Sequence, residues 1–270
     1  MPSAYLLVSH GSRDPRPQVA MNQLARLVSA SKVRVERSGV QVTSNTSSRN
    51  PLHHSFQSSA ANQLAVPLAE RLVGAACLEL SALPLHEQIK EFGDRAVAAG
   101  YNRVQVVPLF LLPGVHVMED IPEEVAIAQQ HLGQKLKLDL RPYVGTHPDL
   151  SHLLANQLAA TKADAWILLA HGSRRAGSKQ PVEAITKQLK AVSAYWAVAP
   201  RLEARVKQLV GVGHRQIGIV PYFLFAGGIT DAIAQSVEQL QGQFPSVNLY
   251  LAEPLGASAE LANLVLDLID

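Results

Sequence analysis

The 270-residue chain is 47 % hydrophobic and 17 % charged, with 24 Lys and Arg against 22 Asp and Glu. Such a composition supports a sizeable core, and the length suits two domains or one large α/β unit. A net charge of +2 with no long basic run leaves nucleic-acid binding without an electrostatic basis. The single cysteine, Cys77, rules out an internal disulfide or a thiolate metal cluster. No apolar stretch approaches the ~20 residues of a bilayer span, and the run Ala4–Val8 is too short for a signal segment. The expectation is a cytoplasmic protein with neither membrane nor nucleic-acid partners.

Along the chain, short apolar runs rich in branched residues, ended by Gly or Pro, predict buried parallel strands. They fall at Leu6–Ser9, Arg103–Leu109, Leu136–Tyr143, Trp166–Ala170, Gln216–Tyr222 and Val247–Ala252. A further strand is expected around Cys77-Leu78-Glu79-Leu80. Helical periods occupy Leu85–Ala99, Ile121–Leu132, Val182–Val192, Ile233–Leu240 and Leu261–Ile269. Strands alternating with helices of this length predict parallel sheets flanked by helices.

Three blocks recur in the same order. Tyr5-Leu-Leu-Val-Ser-His10-Gly-Ser-Arg13 returns as Ile167-Leu-Leu-Ala-His171-Gly-Ser-Arg174. Val106-Val-Pro108-Leu-Phe110 and Gly114 return as Ile219-Val-Pro221-Tyr-Phe223 and Gly227, and Tyr143-Val-Gly145 as Pro254-Leu-Gly256. The chain therefore reads as two fused copies of one α/β half, residues 1–161 and 162–270, each built on a parallel sheet. The first copy carries a polar insertion over about residues 31–59, read as a surface loop whose His53-His54 pair is a weak metal candidate.

The candidate chemistry lies at strand ends. His10 follows the first strand and precedes Gly11, which would allow a close backbone approach; in an open parallel sheet that edge binds ligands. His116 follows the next matched strand, and two neutral imidazoles facing a cleft suit Co²⁺ or Fe²⁺. Ile229 replaces His116 in the second copy, so only the first half can form a two-histidine site, with His171 either lining the same cleft or a relic. Glu79, on an apolar stretch, is either a strand-end carboxylate or a proton acceptor. Ser12, Arg13, Arg16, Arg174 and Arg175 flank the two histidine loops and are candidate clamps for substrate carboxylates. His147 and Asp149 read as a helix start, while His86, His131, His152 and His214 form no pattern.

These motifs, Ser9-His10-Gly-Ser-Arg13-Asp-Pro together with Pro108-Leu-Phe110…Gly114-Val-His116…Glu119-Asp-Ile-Pro122, resemble the class II chelatases, the sirohydrochlorin cobalto- and ferrochelatases CbiX and SirB. The resemblance covers nearly the whole chain and matches the duplicated form of long members. It implies a chelatase-like α/β fold with a cleft between two similar halves, and a monomer with pseudo-twofold halves. It further implies that sirohydrochlorin is the organic substrate, that Co²⁺ or Fe²⁺ is the metal substrate, and that no cofactor is tightly bound. His10 and His116 take the places of the family's metal ligands, and Glu79 that of its acidic residue. The long insertion departs from the family pattern. A carrier of metal or tetrapyrrole without turnover is the competing reading. A histidine phosphatase is disfavoured because Ser9 stands where Arg-His-Gly is needed.

Overall fold

The computed structural model describes residues 3–31, 71–159 and 162–269. The first half runs β1 (Ser3–Ser9), α1 (Pro15–Ala30), β2 (Val73–Cys77), α2 (Leu85–Ala98) and β3 (Arg103–Pro108). A π-helical turn (His116–Asp120) then leads into α3 (Ile121–Leu132), followed by β4 (Lys137–Leu140) and α4 (Leu150–Ala159). The second half repeats the order with β5 (Ala165–Ala170), α5 (Gln180–Leu189), β6 (Val192–Tyr195) and α6 (Leu202–Gly211). It ends with β7 (Gln216–Pro221), α7 (Gly228–Gln243), β8 (Asn248–Leu251) and α8 (Ala259–Ile269).

Each half forms a four-stranded parallel sheet, ordered β2-β1-β3-β4 and β6-β5-β7-β8. From β1 the chain steps outward to β2 and then returns to the other side as β3. The strand order therefore reverses between β1 and β3, and a crevice opens beyond their carboxyl ends. His10 follows β1 and His116 lies beyond β3, so topology alone sends both toward one crevice.

The inner strands β1, β3, β5 and β7 are buried on both faces and sort their side chains by alternation. Leu6 and Val8 pack outward with Ile89 and Phe92 of α2, whereas Tyr5 and Leu7 pack inward with Met21 and Leu24 of α1. In the second half Ile167 and Leu169 face outward and Leu168 and Ala170 inward. The inward faces of both sheets share one cluster with α1, α4, α5 and α8.

The last helix of each half packs on the other half. Helix α8 lies against α1 and β3, while α4 lies against α5 and β7. A boundary near residue 161 is thus a boundary in sequence, and the two halves share a core. Leu154 of α4 is fully buried in that shared cluster. Leu154→Ala is expected to cost about 2–5 kcal/mol through lost transfer energy and a cavity, and denaturant unfolding should show one lowered transition rather than selective loss of a half.

Several boundaries differ from the sequence expectation. The strand expected over Leu136–Tyr143 is only Lys137–Leu140, since Pro142 cannot donate to a ladder. The helix expected over Val182–Val192 ends at Leu189, because Lys190 turns left-handed at φ 53° and Val192 opens β6. The strand carrying Cys77 stops there, which leaves Glu79 in the following loop. The insertion and its His53-His54 pair lie outside the described residues.

Candidate functional site

Two loops meet where β1 and β2 end. Backbone N–H groups of Leu78 and Glu79 donate to the carbonyls of Ser9 and His10, at 2.8 and 2.9 Å. This pairing continues the strand register past Cys77 and fixes Glu79 beside His10. Gly11 sits at φ +98°, where a Cβ would lie 2.0 Å from the Glu79 carbonyl oxygen. A glycine is required for this approach.

The third side chain arrives from the π-helical turn. His116 is its first residue, and the rings of His10 and His116 meet edge to face with centres 4.8 Å apart. Nε2 of His10 lies 3.9 Å from Glu79 Oε2, and Nε2 of His116 lies 4.0 Å from Glu79 Oε1. One atom from each of the three residues falls within 4.8 Å of the others. Glu79 is thus about half exposed rather than buried on a strand; the carboxylate is open to water.

Both Nδ1 atoms are already engaged. His116 Nδ1 is 2.7 Å from Asp120 Oδ2, one π-turn away, and His10 Nδ1 is 3.3 Å from the Gly11 carbonyl. Since both acceptors lack protons, the ring protons belong on Nδ1 and the Nε2 lone pairs point at the gap. A carboxylate behind a histidine in this way fixes its tautomer and orientation. Sequence inspection missed Asp120 in this role, although the His116-x-x-x-Asp120 spacing carried the signal.

A cleft of about 1080 Å³ between the halves contains His10 and His116. Its walls are mostly apolar, with Phe110, Pro113 and Met118 from the first half facing Phe223, Leu224 and Ile229 from the second. Ser12, His171 and Arg175 also line it, as three of the expected substrate contacts. Arg13, Arg16 and Arg174 do not. Arg174 borders a smaller adjoining hollow with Lys179. Ser12 Oγ accepts the Asp14 N–H at 3.1 Å, which also shapes its own loop.

Arg16, expected as a carboxylate clamp, is bonded to two carboxylates of the protein itself. Its guanidinium bonds Asp14 and also spans 215 residues to Asp231, with Nη1 3.0 Å from Oδ1. Asp231 lies in the first turn of α7, so this group ties the start of α1 to the start of α7 beside the cleft. Bonding to Arg16 lowers the pKa of both Asp14 and Asp231. A carboxylate with a depressed folded-state pKa contributes stability above its ordinary range and loses it as pH falls through the folded value. Asp231→Asn should therefore lower the thermal midpoint slightly at neutral pH, and the difference from the parent should shrink as the pH falls through the lowered carboxylate range, measured by paired thermal melts.

The second half shows what the first has added. Ala197 N donates to the His171 carbonyl at 2.8 Å, as Glu79 N does to His10, and His171 Nδ1 lies 3.0 Å from the Gly172 carbonyl. The backbone is the same, but alanine replaces Glu79 and Ile229 replaces His116. One half thus presents a polar triad, and its twin presents one imidazole with alanine and isoleucine at the other two positions.

Comparison with known proteins bears on the family and the fold. The sequence model of the CbiX family matches residues 47–161 and again 165–270. A sirohydrochlorin ferrochelatase of Priestia megaterium is 26 % identical over 190 residues, 66 % of this chain and 70 % of that protein. A sirohydrochlorin cobaltochelatase of the same organism is 26 % identical over 188 residues, covering 64 % of this chain and 61 % of its own length. The solved sirohydrochlorin chelatase SirB from Bacillus subtilis subspecies spizizenii, in complex with cobalt, has a TM-score of 0.66 at 20 % identity, covering 100 % of this chain and 94 % of that one. SirB from Bacillus subtilis with Fe³⁺ has a TM-score of 0.69 at 21 % identity, with the same coverage. Two successive matches to one family model, on two copies of one four-stranded parallel sheet, place this chain in the CbiX family as a duplicated class II chelatase.

Proposed function

We propose that the protein is a sirohydrochlorin chelatase, which inserts Co²⁺ or Fe²⁺ into the tetrapyrrole and serves cobalamin or sirohaem formation. The observation that carries this reading is the placement of two imidazole Nε2 atoms beside one carboxylate, with both histidines lining a mostly apolar cleft. Borderline divalent ions accept two imidazoles and a carboxylate, and such a set leaves positions open for transfer.

The reaction exchanges one divalent ion for two pyrrole N–H protons, so charge balances. His10 and His116 hold the ion through Nε2 and replace part of its water shell. Asp120 keeps the His116 proton on Nδ1 throughout, so that ring remains a ligand. The ion's charge makes the pyrrole protons easier to lose. Glu79, in reach of both imidazoles and half exposed, takes protons and passes them to water.

The apolar residues of both halves sandwich the macrocycle. Its carboxylates point to the polar margin, where Arg175, His171 and Ser12 line the cleft. The start of α7 adds Gly228 and Thr230 there, and first-turn N–H groups at a helix N-terminus favour anions. The fused halves supply both walls, and the proposed working unit is a monomer.

The decisive assay mixes the full chain with sirohydrochlorin and each metal separately under anaerobic conditions, following the absorption change of the macrocycle. The expected result is many turnovers per chain with at least one of the two ions. Stoichiometric binding of metal or tetrapyrrole with no turnover above the uncatalysed rate would identify a carrier and overturn the proposal.

A further inference from the structure

We propose that His171 is the proton acceptor on the face of the macrocycle opposite the metal, an inference that rests on the chelatase reading above. Two pyrrole protons must leave as the ion enters, and Glu79 stands on the ion's own side. Its carboxylate lies 3.9 and 4.0 Å from the Nε2 atoms of His10 and His116. A carboxylate held against a divalent cation is a weaker base. The ion also repels the positive end of each N–H dipole, which tilts the hydrogens toward the far face. At least one of the two protons therefore calls for a metal-free base on the other wall of the cleft.

The second half places an imidazole there. His171 follows β5 as His10 follows β1, and both line the same cleft. His171 Nδ1 lies 3.0 Å from the Gly172 carbonyl. A carbonyl only accepts, so Nδ1 carries the proton of the neutral ring and Nε2 keeps its lone pair. With that N–H already donated, neutral His171 has no proton to offer a substrate carboxylate and is set to accept one. The residue is exposed, so a proton taken up can pass on to water.

The substitutions around His171 keep metal away from it. Alanine and isoleucine, Ala197 and Ile229, stand where the first half has Glu79 and His116, and a single imidazole holds a divalent ion weakly. Arg175 stands where the first half has Asp14, since each backbone N–H donates to the serine two residues earlier, at 3.2 and 3.1 Å. Arg175 lines the cleft, and its charge repels a cation from this wall. The turn that aims the imidazole is retained, with Gly172 at φ +80° beside Gly11 at φ +98° in the first half. The second half thus keeps the base and lacks the groups that would occupy it with an ion.

In the transfer, a bond forms between His171 Nε2 and the pyrrole hydrogen as the pyrrole N–H bond breaks. The electron pair stays on the pyrrole nitrogen and becomes a ligand to the incoming ion. The imidazolium then gives its proton to water, and Glu79 takes the second proton.

The test compares the full chain with His171→Ala and His171→Asn, using sirohydrochlorin and Co²⁺ under anaerobic conditions. Both variants are expected to lose about tenfold or more in kcat, short of the full worth of a sole general base because Glu79 and water still accept protons. KM for each substrate should stay within about twofold of the parent, since a base acting in the transition state does not contribute to ground-state binding. Affinity for Co²⁺ without the tetrapyrrole should not change. A sterically hindered pyridine base, which ligates metals poorly, should restore part of the His171→Ala rate and leave the parent rate as it was. Unchanged kcat in either variant, a loss confined to KM for sirohydrochlorin, weakened Co²⁺ binding, or no response to the added base overturns the proposal. Absence of turnover in the parent chain overturns the chelatase reading and this inference with it, whereas an active parent with an equally active His171→Ala overturns this inference alone.

Discussion

Replacing His116 by alanine is expected to lower metal insertion by more than about 100-fold while leaving the fold intact. The ring is about a third exposed, so its removal creates no buried cavity and should cost little stability. Its loss removes one of the two proposed nitrogen ligands and frees Glu79 from half of its imidazole surroundings. Asp120→Asn gives the scale. An outer-shell carboxylate behind a ligating histidine is typically worth 10–100-fold in affinity or activity, and losing the ligand itself must exceed that. Asparagine can still accept the Nδ1 proton through its amide oxygen but without the charge, so Asp120→Asn should fall in the lower part of that range. The defect in Asp120→Asn should appear chiefly as a raised KM for the metal. His10→Ala should match His116→Ala. The measurement is the steady-state insertion rate against metal concentration, alongside a thermal melt of each variant. Native turnover in either histidine variant would remove the ion from the place assigned to it here.

Much of this arrangement was legible in the sequence because it rests on period and repetition. The inner strands β1, β3, β5 and β7 announce themselves as branched apolar runs, and the repeated His-Gly-Ser turn locates both strand ends. The edge strand β2, Val73-Gly-Ala-Ala-Cys77, is built mostly of small residues and gives no such signal. Glu79 was consequently placed on a strand that ends two residues earlier. β6 was hidden for another reason: Val182, Ile185, Leu189 and Val192 continue a helical period through a chain reversal that only the left-handed Lys190 reveals. Arg16 reads as a candidate clamp in the sequence because one of its two partners, Asp231, is 215 residues distant. The exchange of α4 and α8 between halves is equally invisible, since amphipathic helices state that they bury a face but not against which sheet.

Gly11→Ala is expected to disable the site as thoroughly as removing a ligand, although Gly11 touches no metal. At φ +98° an alanine is strained, at a cost of order 1–3 kcal/mol. The steric conflict is larger. The new Cβ would lie 2.0 Å from the Glu79 carbonyl oxygen and 2.9 Å from its carbonyl carbon. Relief requires the two loops to separate by about 1 Å or more, which breaks the Glu79 N–H bond to the His10 carbonyl and withdraws the carboxylate from both imidazoles. Displacement of that size in a reacting constellation costs on the order of 100-fold. The duplicated half supplies the control. Gly172 occupies the same turn at φ +80°, and a Cβ there would meet the Tyr195 Cβ and Val198 Cγ2 at 2.8 Å. Gly172→Ala should therefore destabilise the chain comparably. With Ala197 where the first half has Glu79, that substitution displaces no ligand, and Co²⁺ affinity at the cleft should hold. Measured together, Gly11→Ala should lose both stability and metal affinity, and Gly172→Ala stability alone. Equal loss of metal affinity in both would mean that general loosening, rather than the placement of Glu79, governs the site.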